Sequence, residues 1–278
     1  MKREAHMKNP IWSLPAKLAA LLIVMAPATS EAARAWLLPS QTIVARSGGW
    51  VTVDAAMADD LFSFNQGAMQ IDALSVSGPD GQPVAPQNPA KGKTRSSFDL
   101  ELRQAGTYRI AVAENTVMAR WEEDGKPKRW RGTPAEMATG IPANAAKLEV
   151  EQMQRRVETF VTVGTPTEVK PGTGTGIELK PVQHPNDLYA RETAKFRFLL
   201  DGKPATDLEV EIIAGGTRYR DAPEEMTFKT NKDGEIAVTW PAAGMYWLEL
   251  SVQDEKAVVP GVKKRRASYS GTFEVLTQ

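Results

Sequence analysis

Phe98-Asp-Leu-Glu-Leu-Arg-Gln-Ala-Gly-Thr-Tyr108 and Ile236-Ala-Val-Thr-Trp-Pro-Ala-Ala-Gly-Met-Tyr246 are two copies of one pattern. In each, apolar residues alternate along a strand, a Gly follows, and a Tyr leads the next strand. Period-two alternation marks a strand with one face buried. The Gly permits the bend, and the Tyr hydroxyl can satisfy backbone at the edge of the core. Immunoglobulin-like sandwiches place a tyrosine corner at such a point. A second matching pair, Asp80-Gly-Gln-Pro-Val84 and Asp201-Gly-Lys-Pro-Ala205, makes this an internal repeat. The fold expected from it is all-β, with two tandem immunoglobulin-like β-sandwich domains.

The same alternation continues outward from the repeat. Tyr108, Ile110 and Val112 alternate with Arg109 and Ala111, and Phe196, Phe198, Leu200, Val210 and Ile212 do likewise in the second half. Ser47-Gly48-Gly49, Gly215-Gly216 and Asp233-Gly234 supply turns between strands. Residues 166–176 are rich in Gly, Pro and Thr and lack apolar periodicity, so they read as a linker. The domains are then 33–165 and 177–278. An insertion at 117–147 decorates the first, and Thr133-Pro134-Ala135-Glu136 within it is a capping box that predicts a short helix over Pro134 to Thr139.

Composition removes several classes of function. The 278 residues carry 34 Lys+Arg against 34 Asp+Glu, a balance unsuited to a nucleic-acid binder. There is no Cys, which excludes thiol nucleophiles and thiolate metal sites. His6 and His184 are the only histidines, too few for an imidazole-rich catalytic centre. Lys2, Arg3, Lys8 and Lys17 precede the apolar run Leu18 to Ala28, and small residues follow, which is the order of a secretory signal peptide. That run is shorter than the roughly 20 residues a spanning helix needs. Cleavage after Ala32 leaves 30 basic against 32 acidic residues, no transmembrane helix in the mature chain, and His184 as its one histidine.

Several motifs together resemble a known family. They are Ala35-Trp-Leu-Leu-Pro-Ser40, Trp50-Val-Thr-Val-Asp-Ala55, Lys128-Arg-Trp-Arg-Gly132, Arg156-Val-Glu-Thr-Phe160, His184-Pro-Asn-Asp-Leu188, Gly216-Thr-Arg-Tyr-Arg220 and Trp240-Pro-Ala-Ala-Gly-Met-Tyr-Trp247. From Ala35 to the C-terminus the chain resembles the exported domain-of-unknown-function family labelled as a nickel uptake substrate-specific component. The resemblance implies a periplasmic protein of Gram-negative bacteria, associated with outer-membrane receptors and with nickel or cobalt. Many members carry a His just before the Trp-Leu-Leu-Pro motif. This chain has Ala33-Arg34 there, so a metal site built on that His is incomplete.

Two constellations are candidate sites. His184 with Asp187 offers a nitrogen and oxygens to a transition metal. The same residues fit a turn at Pro185-Asn186, with His184 hydrogen-bonding across the interdomain seam. Trp121, Trp130, Arg129 and Arg131 flank the turn signal Asp124-Gly125. Stacked indole faces and guanidinium forks suit a sugar ring or an anion, while hairpin packing and cross-strand charge pairing explain the residues without a ligand. Arg218-Tyr219-Arg220 and Lys263-Lys-Arg-Arg266 are basic runs that could meet anionic lipid or an acidic partner, or be solvated loops. Asp59-Asp60 could supply oxygen ligands, or form a turn with Phe62 and Phe64 packed inside.

No nucleotide-binding glycine loop, zinc-protease motif or serine-hydrolase elbow occurs. The function expected is therefore not enzymatic, and the resemblance implies a periplasmic binding or accessory protein associated with nickel or cobalt uptake. The alternatives are a metal-free adaptor docking onto an outer-membrane receptor or other envelope protein, and a carbohydrate-binding module.

Overall fold

Three sheets carry the chain in the computed structural model, which describes residues 33–170 and 172–278. The signal peptide expected at 1–32 lies outside the described residues. The N-terminal sheet orders Arg34–Pro39, Gly49–Ala58, Ser96–Leu102 and Gln87–Lys91, with Gly67–Ala68 at its side. The C-terminal sheet orders Ile177–Pro181, Thr193–Leu200 and Lys203–Pro204, with Glu235–Thr239 also on Thr193–Leu200. Between them runs a shared sheet of nine strands. Its order is Met226–Lys229, Glu209–Ala214, Gly244–Asp254, Lys264–Val275, Ala146–Val163, Gly106–Glu123 and Leu74–Ser77, joined by Ile43–Val44 and Lys126–Gly132.

The shared sheet exists because Ala146–Val163 from the first half pairs in parallel with Lys264–Val275 from the second, setting Val157 opposite Ser270 and Glu158 opposite Gly271. Paired residues share a face, and neighbours along a strand face opposite ways. Val157, Val161 and Val163 thus join Tyr108, Ile110 and Val112 in a core under the N-terminal sheet. Phe160 turns the other way, into a core with Phe196, Phe198, Tyr269 and Phe273. The two sandwich cores lie on opposite faces of one continuous sheet. A third cluster, Trp36, Ala56, Leu61, Ile213 and Trp247, ties the halves again, and the Trp247 indole N–H donates to Ala35 O at 3.0 Å.

This layering changes what alternation means. Every residue from 106 to 112 and from 156 to 163 is buried, because both faces of those stretches are covered. Arg109, expected to face solvent from a half-buried strand, is only 6% exposed.

Both tyrosine corners are present. The Tyr108 hydroxyl accepts the Gln104 N–H at 2.8 Å and donates to Gln104 O at 3.1 Å, and Tyr246 donates to Ala242 O at 2.8 Å. Gly106 and Gly244, at φ +118° and +146°, make the bends that a side chain would strain. The 117–147 segment is a hairpin at the far ends of two 18-residue strands rather than a separate loop. Asp124 and Gly125 turn it with φ of 51° and 71°, as the twist of paired strands demands. The helix follows as a 3-10 turn, Pro134–Glu136, and one α turn, Met137–Gly140, and Glu136 Oε2 accepts the Thr133 N–H at 2.8 Å. Residues 166–170 and 172–176 lie between the shared sheet and the C-terminal sheet. The described residues form one compact unit, and no helix among them is long and apolar enough to cross a membrane.

Candidate functional site

His184 sits where the halves meet. Pro185 and Asn186 form a turn closed by Asp187 N–H on His184 O at 3.0 Å. Inside it, Nδ1 accepts the Asn186 N–H at 3.1 Å. Nε2 lies 3.1 Å from Thr167 O and 2.9 Å from Thr107 Oγ1. A carbonyl can only accept, so Nε2 carries the proton and the imidazole is neutral. Burial, opposed by the Thr167 carbonyl and Asp187, holds the imidazolium pKa below its usual value. Thr107 passes the chain to Thr162 at 3.0 Å, and Thr162 donates to Asn186 Oδ1 at 2.9 Å. Both ring nitrogens are spoken for, so a metal at either would break a bond of the seam. The Asp187 carboxylate accepts from Gln183 Nε2 at 3.3 Å. No group of three or more His, Cys, Asp or Glu able to hold a metal occurs among the described residues.

Beneath His184 lies a buried charge network. Arg109 Nε donates to Glu158 Oε1 at 2.6 Å, Arg156 Nη1 lies 3.5 Å from the same oxygen, and the Tyr269 hydroxyl donates to Glu158 Oε2 at 3.0 Å. Arg156 also donates to Glu178 at 2.7 Å, and Glu178 accepts the Thr173 and Gly174 N–H groups at 2.6 and 2.9 Å. Glu158 is fully buried. Burial first, then the Glu158 charge, pushes the Tyr269 hydroxyl well above the usual phenol range, so it remains a donor. Two guanidiniums balance two carboxylates, which makes burial tolerable. These residues were missed because they alternate with core positions and so read as solvent-facing.

A cleft of about 460 Å³ opens beside the network, between the crossing segment and the Ile177–Pro181 edge of the C-terminal sheet. Val169, Leu179, Pro181, Val182 and Leu199 line it, with Arg109, Glu178 and His184 contributing its polar wall and Lys170, Lys180 and Glu168 also lining it.

The second candidate constellation is not assembled. Trp130 stands opposite Ala119 and Trp121 opposite Lys128, so both indoles are on one face of the hairpin. Arg129 and Arg131, one residue to either side of Trp130, are on the other face. The Trp130 ring packs with Val117, Val259 and Val262, and a Cβ at Gly140 would come within 2.2 Å of it. Arg131 donates to Glu114 at 2.9 Å. The basic runs are also partly consumed: Arg265 is buried and paired with Asp201 and Asp254 at 2.7 and 2.6 Å. Arg220 donates to Ala214, Gly215 and Pro223 carbonyls. Asp59-Asp60 precede a turn whose Phe62 and Phe64 rings lie 5.6 and 5.4 Å from Trp36.

A family model described as domain of unknown function DUF4198 matches residues 30–254. The chain belongs to this DUF4198 family. Both halves of the seam fall largely within the matched residues, including Arg109, Glu158 and His184. A search of curated proteins finds no match. Among solved structures, the human OSCAR ligand-binding domain is similar at 14% identity and TM-score 0.21, covering 88% of this chain and 99% of that one. The D0-D1 domain of intimin is similar at 13% identity and TM-score 0.21, covering 85% and 96%. A DUF4785 protein from Legionella pneumophila is similar at 8% identity and TM-score 0.24, covering 77% and 50%. At these values the likeness says nothing of function for this DUF4198 protein.

Proposed function

We propose that this DUF4198 protein is a non-catalytic binding and accessory protein of the cell envelope, exported to the periplasm by residues 1–32, whose ligand site is the seam cleft. The carrying observation is the cleft itself: a cavity of about 460 Å³ at a junction of two sandwiches, mostly apolar in its walls. The chemistry-bearing groups on it argue for binding over catalysis. Arg109 and Glu178 are held in ion pairs, and His184 spends both nitrogens on the seam. Nickel or cobalt association is assigned to an envelope partner, such as an outer-membrane receptor, and not to His184.

The test is a thermal-shift and titration series on tag-free protein starting at Ala33, using small organic ligands and nickel and cobalt salts, with Leu199→Trp as the cleft-filling variant. Ligands that stabilise the wild type and not Leu199→Trp support the reading. Ligands that stabilise both equally refute it. Nickel affinity is expected to be the same in wild type and His184→Ala; a tenfold loss, about 1.4 kcal/mol, would restore His184 as a ligand.

A further inference from the structure

Arg109 has donors to spare. A guanidinium carries five N–H groups. Nε gives one to Glu158, Nη1 one to Lys170 O at 2.9 Å, and Nη2 one to Leu179 O at 3.5 Å, the outer limit of a hydrogen bond. Two N–H groups of a side chain only 6% exposed are left over, on a residue that lines the cleft. Each Arg109 nitrogen already has one acceptor, so the two remaining N–H groups are the donors it can offer a ligand oxygen in the cleft.

The charges around the cleft add direction. Glu178 is saturated by Arg156, Thr173 and Gly174, so it contributes no free negative charge. The Lys170 side chain leans toward Gly81, beside Asp80. Lys180 is exposed and lies on the strand edge that forms one wall. Glu168 is the one acid of the lining that no ion pair or hydrogen bond occupies among the described residues. The apolar wall has a rim residue left in water, Val182, at 51% exposure. Oxygen acceptors are wanted at Arg109, a cation waits at Lys180, and an apolar surface lies between them.

We infer, resting on the cleft reading above, that the ligand class is a small amphipathic organic anion. Its carboxylate, sulfonate or phosphate oxygens meet the spare Arg109 N–H groups and Lys180, and its apolar body covers Val169, Pro181, Val182 and Leu199. Charge-assisted hydrogen bonds from a guanidinium to an oxyanion are the strong kind, and they gain from the low exposure of Arg109.

A matched pair of fluorescent probes tests this: 8-anilino-1-naphthalenesulfonate and its neutral parent N-phenyl-1-naphthylamine, which has the same rings without the sulfonate. Each is titrated into the mature protein, Lys180→Glu and Leu199→Trp, with melting curves confirming that all three are folded. The expected result is a saturable site that prefers the sulfonate about tenfold over the parent, is lost in Leu199→Trp, and loses most of its anion preference in Lys180→Glu. Equal binding of both probes, abolished by Leu199→Trp, overturns the anion class while leaving the cleft as a binding site. Binding of neither probe that responds to Leu199→Trp overturns both.

Discussion

The Tyr269 hydroxyl donates to Glu158 Oε2 at 3.0 Å, from one half of the molecule to the other, on strands paired in parallel. Arg109 holds the opposite oxygen of the same carboxylate at 2.6 Å. Glu158 is thus the joint of three strands and both halves. Glu158→Gln would leave Arg109 buried without its carboxylate while Arg156 keeps Glu178, and breaking a buried pair costs about 3–5 kcal/mol. Arg109→Met with Glu158→Leu removes both charges, and the double variant is expected to be more stable than Glu158→Gln. Urea unfolding of the variants checks the order; a Glu158→Gln change below about 1 kcal/mol would show that the network contributes little.

The halves share a sheet, so the second half is not expected to stand alone. A fragment of residues 166–278 loses Ala146–Val163, which bares the edge of Lys264–Val275, and loses Phe160 from its core. An uncovered edge strand of that length is a template for association. The fragment should elute as aggregate with little fixed tertiary signal, while residues 33–278 melt in one cooperative transition. A monomeric, cooperatively folding fragment would contradict this.

The tyrosine corners differ in a way that can be measured. Tyr108 makes two hydrogen bonds to Gln104, and Tyr246 makes one to Ala242. Their backbone partners lie at exposed residues, where water can replace the hydroxyl. Tyr246→Phe is therefore expected to cost about 1 kcal/mol and Tyr108→Phe somewhat more. Chemical denaturation of the two variants settles the order, and a larger loss at Tyr246 counts against the corner account.

What could be read from the sequence was local. The Gly-Tyr corners, the Asp124-Gly125 turn, the Thr133–Glu136 capping box and the turn after His184 all follow from residues within a few positions of one another. The parallel joining of 151–159 to 264–272 depends on contacts more than a hundred residues apart, and no local pattern encodes it. That joining decides the fate of Arg109, Arg156 and Glu158. Alternation assigns them to the face away from the first core, and only the second core on that side makes them buried. Trp130 and Arg131 teach the reverse. Neighbours on a strand face opposite ways, so their separation was available from spacing once the hairpin was recognised.

Glu249 predicts how stability depends on pH. It lies directly opposite Glu211 on the adjoining strand, near Arg34, Arg155 and Arg266. Burial first, and the Glu211 charge second, push its pKa up to about 7 against an ordinary value of 4.5, with the three arginines pulling it part of the way back. A folded-state pKa above the unfolded one means that the native protein holds the proton more tightly. Stability from this group is therefore fully present below pH 4.5 and is lost as pH rises through about 7. Glu211, also raised by burial and by Glu225, acts in the same direction. Glu249→Gln keeps the shape and removes the ionisation. The variant should match the wild type near pH 4.5 and exceed it at pH 8 by on the order of 2–3 kcal/mol. Melting temperatures of the two proteins across pH 4 to 9 make the comparison, and curves that stay parallel over the whole range would show that Glu249 does not titrate in this window.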